Sequence, residues 1–433
     1  MIDLFNAHNS GKASPTLRSV RRISNLVAAL NEINWRLVGI DGLRVEAYTN
    51  PRDHVPWNPN LLNVDGQLDL LQAIQNDLVY GSLPDATQAV RMKDRLVERG
   101  TVANRIRERA FLRKLNANLD RAFSDASWGY RPHRSPEMAI LRVRAGIRNG
   151  AHWALKSDFM RFFQHIDRSV VGRQLRATIP DQDLCEALLN TTSPVLVDRG
   201  KSKLRQNGLP EGNGVSPFLS NLYLHGFDLA CSRYLYFRYA DDLLLLGRSE
   251  EEVREARNFI EVQAAKLGLL LNTNKTAIRD LYSDSVVFLG YELRGGNVWP
   301  PQKAIERLEH KLLHRGQEGR FQLMKGFVRR FSIGPVRKLF RRLDRRFVSL
   351  YPPGVTLVGL LDSLTLKLKS KWGTSNHEVQ GSLSLKTELS MSYGKSCDSA
   401  EKSASQAPAV EQLGAAGSHG PATPATRTEE AVK

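Results

Sequence analysis

Cysteine is scarce in this 433-residue chain: Cys185, Cys231 and Cys397 stand alone and form no CxxC pair. That argues against a zinc ribbon or a disulfide framework, and a reduced, cytoplasmic protein is the simplest reading. Long apolar runs are also missing. The stretch from Val355 to Leu366 is too short to span a bilayer and contains Asp362. The opening MIDLFNAHNS has neither a basic start nor an apolar core, so no signal peptide and no membrane partner are expected. No internal repeat is found. Negative charge is in deficit, with 45 Asp and Glu against 62 Lys and Arg and a net charge of +17. An excess of that size suits a polyanionic partner, nucleic acid or an anionic surface.

Residues 1–90 read as mostly helical: SNLVAALNEINWRLVG has apolar positions three and four apart and runs into a GIDG turn at Asp41. From 91 to 147 a strongly basic helical region is expected, headed by RMKDRLVERGTVANRIRERAFLRKL. HWALKSDFMRFF reads as a short strand entering a turn, and LYFRYADDLLLL as two apolar strands joined by a tight turn. EEEVREARNFIEVQAAKLGL is an amphipathic helix with acids at its positive end, and VVFLGYEL reads as one further strand. Between Lys303 and Arg346, Lys and Arg far outnumber acids and interleave with Leu and aromatics at helical spacing, as in RKLFRRL. A solvated helix pair would look like this. So would a helix lying along a phosphate backbone, which the one-signed charge favours. Beyond Thr374 small and polar residues replace aromatics, so residues 374–433 are expected to be a disordered tail.

FRYADDLLLLGR sets Asp241 and Asp242 inside an otherwise apolar stretch. Burying an ionised carboxylate without a partner costs several kcal/mol. The pair therefore marks a solvated turn or sits beside something positive. A third acid bears on the choice: Asp158 ends the strand of KSDFMRFFQHID. Asp158, Asp241 and Asp242 together would supply hard oxygen ligands for two Mg²⁺ ions, with Mn²⁺ as the alternative.

These blocks resemble the bacterial reverse transcriptases of the group II intron-like branch, relatives of the retron and phage-defence enzymes. FRYADD is similar to the family's YADD hairpin, SDFMRFFQHID to its D-x-x-x-F-F-x-x-I-D strand, and SWGYRPHRS to its SYGFRPGRS block. GLPEGNGVSPFLSNLYL, LGLLLNTNKT and VVFLGYEL are similar to three further blocks, in the family's order. The GIDG near Asp41 resembles part of the family's N-terminal extension. The resemblance implies an α+β right-hand polymerase, with fingers, an antiparallel palm sheet and a helical thumb. Residues 1–90 would be an N-terminal helical extension, 91–295 fingers and palm, and 296–352 the basic thumb, with 353–373 unassigned. The activity implied is RNA-directed DNA synthesis on an RNA template and RNA–DNA duplex from deoxynucleoside triphosphates.

By the same resemblance Asp158 and Asp241 would be the principal metal ligands, and Asp242 would complete the acidic cluster or hold its geometry. Lys275 would be a general acid for departing pyrophosphate, or else a surface lysine. Phe163 would exclude a 2′-hydroxyl under the incoming sugar, while Phe162 reads as core. Arg105 and Arg131, with Lys93 and Arg99, would clamp the triphosphate. Gly208, Pro210, Gly212, Ser216, Pro217 and Asn221 would shape the template and nucleotide pocket, and Tyr239 would pack beside the primer terminus unless it is an ordinary hairpin aromatic. The chain departs from the family at Glu211, which replaces a glutamine, and it lacks both the retron V-T-G hallmark and a His-Cys endonuclease pattern. Three roles stay open: an intron-derived enzyme serving a cognate intron, a stand-alone antiphage polymerase copying a non-coding RNA, and an RNA-binding maturase that needs no polymerisation.

Overall fold

The computed structural model describes residues 15–33, 64–81, 86–92, 95–192, 195–204 and 207–372. The GIDG turn, Lys93 and the tail from 374 lie outside the described residues. In chain order the first elements are helices α1 (Leu17–Val20), α2 (Ile23–Glu32) and α3 (Val64–Tyr80), strands β1 (Thr87–Met92) and β2 (Arg95–Arg99), and helices α4 (Val102–Leu119) and α5 (Pro136–Arg148). Then come β3 (Trp153–Asp158), α6 (Phe162–His165), α7 (Arg168–Thr178), α8 (Gln182–Thr191), β4 (Val195–Asp198) and β5 (Lys201–Leu204). Next are α9 (Ser216–Tyr223), α10 (His225–Cys231), β6 (Leu235–Tyr239), β7 (Asp242–Gly247), α11 (Glu250–Ala265) and β8 (Ala277–Asp280). The last are β9 (Val286–Phe288), β10 (Tyr291–Arg294), β11 (Asn297–Trp299) and helices α12 (Gln302–Leu313), α13 (Gln317–Phe331), α14 (Arg337–Phe347) and α15 (Leu357–Trp372). This is an α+β architecture. No helix among the described residues is long and apolar enough to cross a membrane.

The central sheet has the order β6-β7-β3-β8, with every pairing antiparallel. It is buried on both faces, which explains four consecutive leucines in β7. Successive strand side chains point to opposite faces. Leu243 and Leu245 accordingly join one core with Leu155 and Tyr236, whereas Leu244 and Leu246 join another with Ala154 and Phe237. The first core is closed by α4, α7, α9 and α11, which contribute Phe111, Leu175, Leu219 and Ile260. The second takes Ile140 and Val143 of α5, the small sheet β11-β10-β9, and apolar faces of α12, α13 and α14. Local chemistry fixes the helix starts: Thr101, Ser135, Asp167, Asp181 and Ser249 each accept a backbone N–H of the first turn. Ser249 is followed by Glu250, Glu251 and Glu252, which complement the positive end of α11.

Three stretches fold differently from their sequence reading. Residues 87–99 are not helical: β1 and β2 form an antiparallel hairpin that pairs Val90 with Val97, and β1 runs parallel to β4 in a four-stranded sheet. Pairing to a strand a hundred residues away overrides the local pattern. VVFLGYEL is not one strand but the two strands β9 and β10, folded back at Leu289 and Gly290, whose φ values are 50° and 76°. Positive φ at both turn residues is what a tight hairpin needs. The basic 303–346 region forms three helices rather than a pair. Phe340, Leu343 and Phe347 of α14 are buried, while Lys338, Arg341, Arg342 and Arg345 face solvent.

Candidate active site

Register brings the acids together. Asp158, the last residue of β3, lies directly opposite Asp242, the first of β7. Side chains so opposed share a face, with Cβ atoms about 4.5–5.5 Å apart. Asp241 precedes Asp242 in the two-residue turn between β6 and β7, and its carbonyl accepts the Phe159 N–H at 3.2 Å. The turn carrying Lys275 is tied to the same point, since the Asp158 carbonyl accepts the Asn272 N–H at 2.8 Å. Lys275 Nζ then donates to Asp158 Oδ2 at 2.5 Å. Asp158, Asp241, Asp242 and Lys275 thus converge across the ends of three chain segments.

Among the described residues two ammonium groups meet Asp158 and Asp242. Lys275 is one; its hydrogen bond to Asp158 holds its pKa above the ordinary lysine value. The other is Lys156, two residues before Asp158 on the same face of β3, whose Nζ donates to Asp242 Oδ1. Burial raises the Asp242 carboxyl above the usual aspartate range, Lys156 opposes that shift, and the Asp241 and Asp158 charges add to it. Among the described residues no three His, Cys, Asp or Glu side chains are grouped as a ready ligand set. One atom nevertheless asks for a partner: Asp158 is 8% exposed, and its Oδ1 is buried with no hydrogen-bond donor. A buried, unsatisfied carboxylate oxygen beside two further aspartates is a hard donor set that fits a divalent cation.

The hairpin tip is held by residues the sequence reading passed over. Ala240 has φ 59°, a left-handed conformation that costs a residue with a Cβ about 1–2 kcal/mol. Its carbonyl accepts a hydrogen bond from Arg238 Nη1 at 3.0 Å. Arg238 is completely buried in mid-strand and also grips Asp228 of α10 through Nε at 2.7 Å and Nη2 at 2.5 Å. Its remaining bonds reach Asn221 Oδ1 at 3.0 Å and Ser127 Oγ at 2.8 Å. Burial alone would lower the Arg238 pKa, but the Asp228 carboxylate more than offsets it and the pKa is raised. A lone arginine within LYFRY was the available signal, because a charge there requires a buried counterion. Gly129 closes the tip from the other side: a Cβ on it would lie 2.5 Å from the Ala240 nitrogen.

Of the other predicted site residues, Asn221 and Tyr239 lie at the hairpin tip and the rest fall into a second, loop-centred group. Gly208 has φ 82°, and a Cβ there would meet the Phe163 carbonyl at 2.7 Å; Leu209 N–H donates to that same carbonyl at 2.7 Å. Phe163 is half-buried, and Phe162 is a core residue at 3% exposure. Pro210 is buried, and Gly212, at φ 104°, presses on β2, where a Cβ would lie 2.5 Å from the Glu98 carbonyl. Ser216 is buried at the start of α9 with an unpartnered hydroxyl. Asn221 is internal, donating to the Gly129 carbonyl at 2.9 Å. Tyr239 is half-buried, and its ring centroid lies 6.1 Å from that of the exposed Tyr130.

The two arginines expected at a triphosphate hold protein groups instead. Arg131 is 7% exposed and donates to Asp120 Oδ1 at 2.9 Å, to the Asp120 carbonyl at 2.6 Å, and to the Ser124 and Ser127 carbonyls at 2.7 and 3.0 Å. Arg105 donates to the Gly212 carbonyl at 2.8 Å and pairs with the buried Glu108 at 3.6 Å. Glu108 in turn accepts Asn213 Nδ2 at 2.9 Å and the Gly214 N–H at 2.8 Å, so it and Arg105 brace the 208–217 loop.

Comparison with known proteins bears on the central part of the chain. Residues 92–293 match the family model for reverse transcriptase, RNA-dependent DNA polymerase. The chain is 27% identical to Protein YkfC of Escherichia coli K12 over 234 residues, covering 44% of this chain and 60% of that protein. It is 25% identical over 164 residues to the group II intron-encoded protein LtrA of Lactococcus lactis, covering 38% of this chain and 27% of LtrA. It is 38% identical over 79 residues to the retron Ec86 reverse transcriptase of Escherichia coli, covering 17% and 25% of the two chains. The chain therefore spans 60% of YkfC and under a third of LtrA. Residues 92–293 of this chain are a reverse transcriptase domain of the kind shared with group II intron-encoded and retron proteins.

Proposed function

We propose that the chain copies RNA into DNA, extending a primer 3′-hydroxyl with deoxynucleoside triphosphates under two-metal catalysis. The observation that carries this reading is the register of Asp158 against Asp242, with Asp241 at the hairpin tip and Asp158 Oδ1 buried and unsatisfied. Asp158 and Asp241 would hold the cations, Mg²⁺ or Mn²⁺, with Asp242 completing the negative cluster. When bound, the cations supply positive charge for the entering hydroxyl and the departing pyrophosphate. Lys275, whose side chain is 63% exposed, is free to leave Asp158 and donate a proton to the leaving group. Phe163 would exclude a 2′-hydroxyl, and Tyr239 would border the primer terminus. Gly208, Pro210, Gly212, Ser216 and Asn221 would set the pocket's shape, and Arg105 and Arg131 would serve it by bracing its loops.

In this reading residues 91–295 are fingers and palm, and 296–352 are a thumb whose exposed α14 basic face tracks the phosphate backbone of the template–primer duplex. The protein would act in the cytoplasm as an intron-derived enzyme on a cognate intron RNA. Sequencing the RNA and cDNA that copurify with wild type and with Asp241→Ala tests both activity and context. Wild type should carry cDNA complementary to intron RNA and the variant none. Indistinguishable cDNA from the two would defeat the proposal, and cDNA templated by a dedicated non-coding RNA would replace the intron role with the defence role.

A further inference from the structure

The two lysines at the acidic cluster are not equivalent. Lys275 sits on a turn with its side chain 63% exposed, so its ammonium can move into water at little cost. Lys156 is an interior residue of β3, bonded on both sides by β7 and β8, with its side chain only 18% exposed. Its Nζ is fixed by three neighbours: Asp242 Oδ1, the Ser157 carbonyl at 3.2 Å and the face of Phe288, whose centroid is 5.8 Å away. Phe288 itself is 1% exposed and belongs to the second core. Retreat would require the ammonium to leave an ion pair and a cation–π contact together.

We propose that Lys156 is a permanent resident cation of this site, a positioning residue that neutralises Asp242 and reserves Asp158 and Asp241 for exchangeable divalent cations. The carboxylate oxygen that is both buried and without a donor belongs to Asp158, and this matches that division. A fixed positive charge beside the ligands lowers their affinity for further cations, so Lys156 sets the metal concentration at which the site fills. This inference rests on the reading of the three acids as a cation site.

The test is Mn²⁺ binding to the full chain, read as the loss of the free-ion paramagnetic resonance signal, with primer-extension Mg²⁺ dependence alongside. Lys156→Met keeps the length of the stem and removes the charge. It should tighten Mn²⁺ binding on the order of tenfold, the scale expected for partners of metal-ligating side chains, and move the Mg²⁺ optimum down. Lys156→Arg, which keeps the charge, should bind Mn²⁺ like wild type and shows whether the position tolerates replacement. In an Asp242→Asn background Lys156→Met should tighten Mn²⁺ binding at least as much, because the ammonium there repels the cations with no carboxylate to offset it. Unchanged or weaker Mn²⁺ binding in Lys156→Met, with Asp158→Asn still abolishing binding, overturns the role of Lys156 and leaves the cation site standing. Full Mn²⁺ binding by Asp158→Asn removes the site itself.

Discussion

Replacing Arg238 by methionine leaves the Asp228 carboxylate buried without its counterion. Arg238 is 0% and Asp228 1% exposed, so neither charge can be rescued by water. Losing one partner of such a pair costs about 3–5 kcal/mol, and this arginine also gives up its bonds to Asn221, Ser127 and the Ala240 carbonyl. Urea denaturation followed by circular dichroism should show Arg238→Met and Asp228→Leu each falling in that range. The double variant Asp228→Leu/Arg238→Met removes both charges, and its cost should be smaller than the sum of the singles by more than about 1 kcal/mol. Stability and function should then separate. The double variant regains stability but not primer extension, because nothing grips the Ala240 carbonyl. Additive costs, or a single variant as stable as wild type, would refute the claim that a coupled buried pair organises the hairpin tip.

Three further outcomes follow from the same geometry. Gly129→Ala pushes a methyl group into the Ala240 nitrogen and should displace the acids by a fraction of an ångström, cutting the primer-extension rate on the order of a hundredfold; a thermal melt should show the fold retained, and full activity would contradict the packing. Gly212→Ala places a Cβ at φ 104° against the Glu98 carbonyl and should cost about 1–3 kcal/mol in urea melts; a neutral effect would mean that the loop shifts freely. Burial pushes the Cys185 thiol up to about 11 and the Cys231 thiol up to about 12, so the folded state keeps their protons where the unfolded chain loses them. Their contribution to stability is therefore present below the unfolded thiol pKa of about 8.5 and is lost as pH rises through the folded values. In a Cys397→Ser background iodoacetamide should not label the folded protein at pH 8 but should label it in urea, and rapid labelling of the native protein would contradict the burial.

The hairpin and the helix α11 were legible because their signals are local. Tyr239 and Asp242 pair across a two-residue turn, and Ser249 with three glutamates announces a helix start. The two-faced burial of Leu243–Leu246 agrees with an uninterrupted apolar run. What failed depended on distant chain. Arg91, Arg95, Glu98 and Arg99 mask the strand alternation in residues 87–99, and the pairing of Thr87 with Leu196 has no local trace. At the site, Asp158 and Lys275 carry motif signals, whereas Lys156, Asp228 and Arg238 matter through burial and partners that only the folded chain reveals. For the same reason a basic segment could not say which arginines meet ligand: Arg131 is wholly engaged by Asp120 and nearby carbonyls.

The most direct measurement is single-turnover extension of a DNA primer annealed to RNA, with deoxynucleoside triphosphates and Mg²⁺, comparing wild type with Asp158→Asn. One carboxylate oxygen of Asp158 pairs with Lys275 and the other is buried and unsatisfied, open to a cation, so the amide substitution should lower the rate on the order of a thousandfold while the melting curve changes little. Asp158→Asn that extends the primer as fast as wild type would contradict the account.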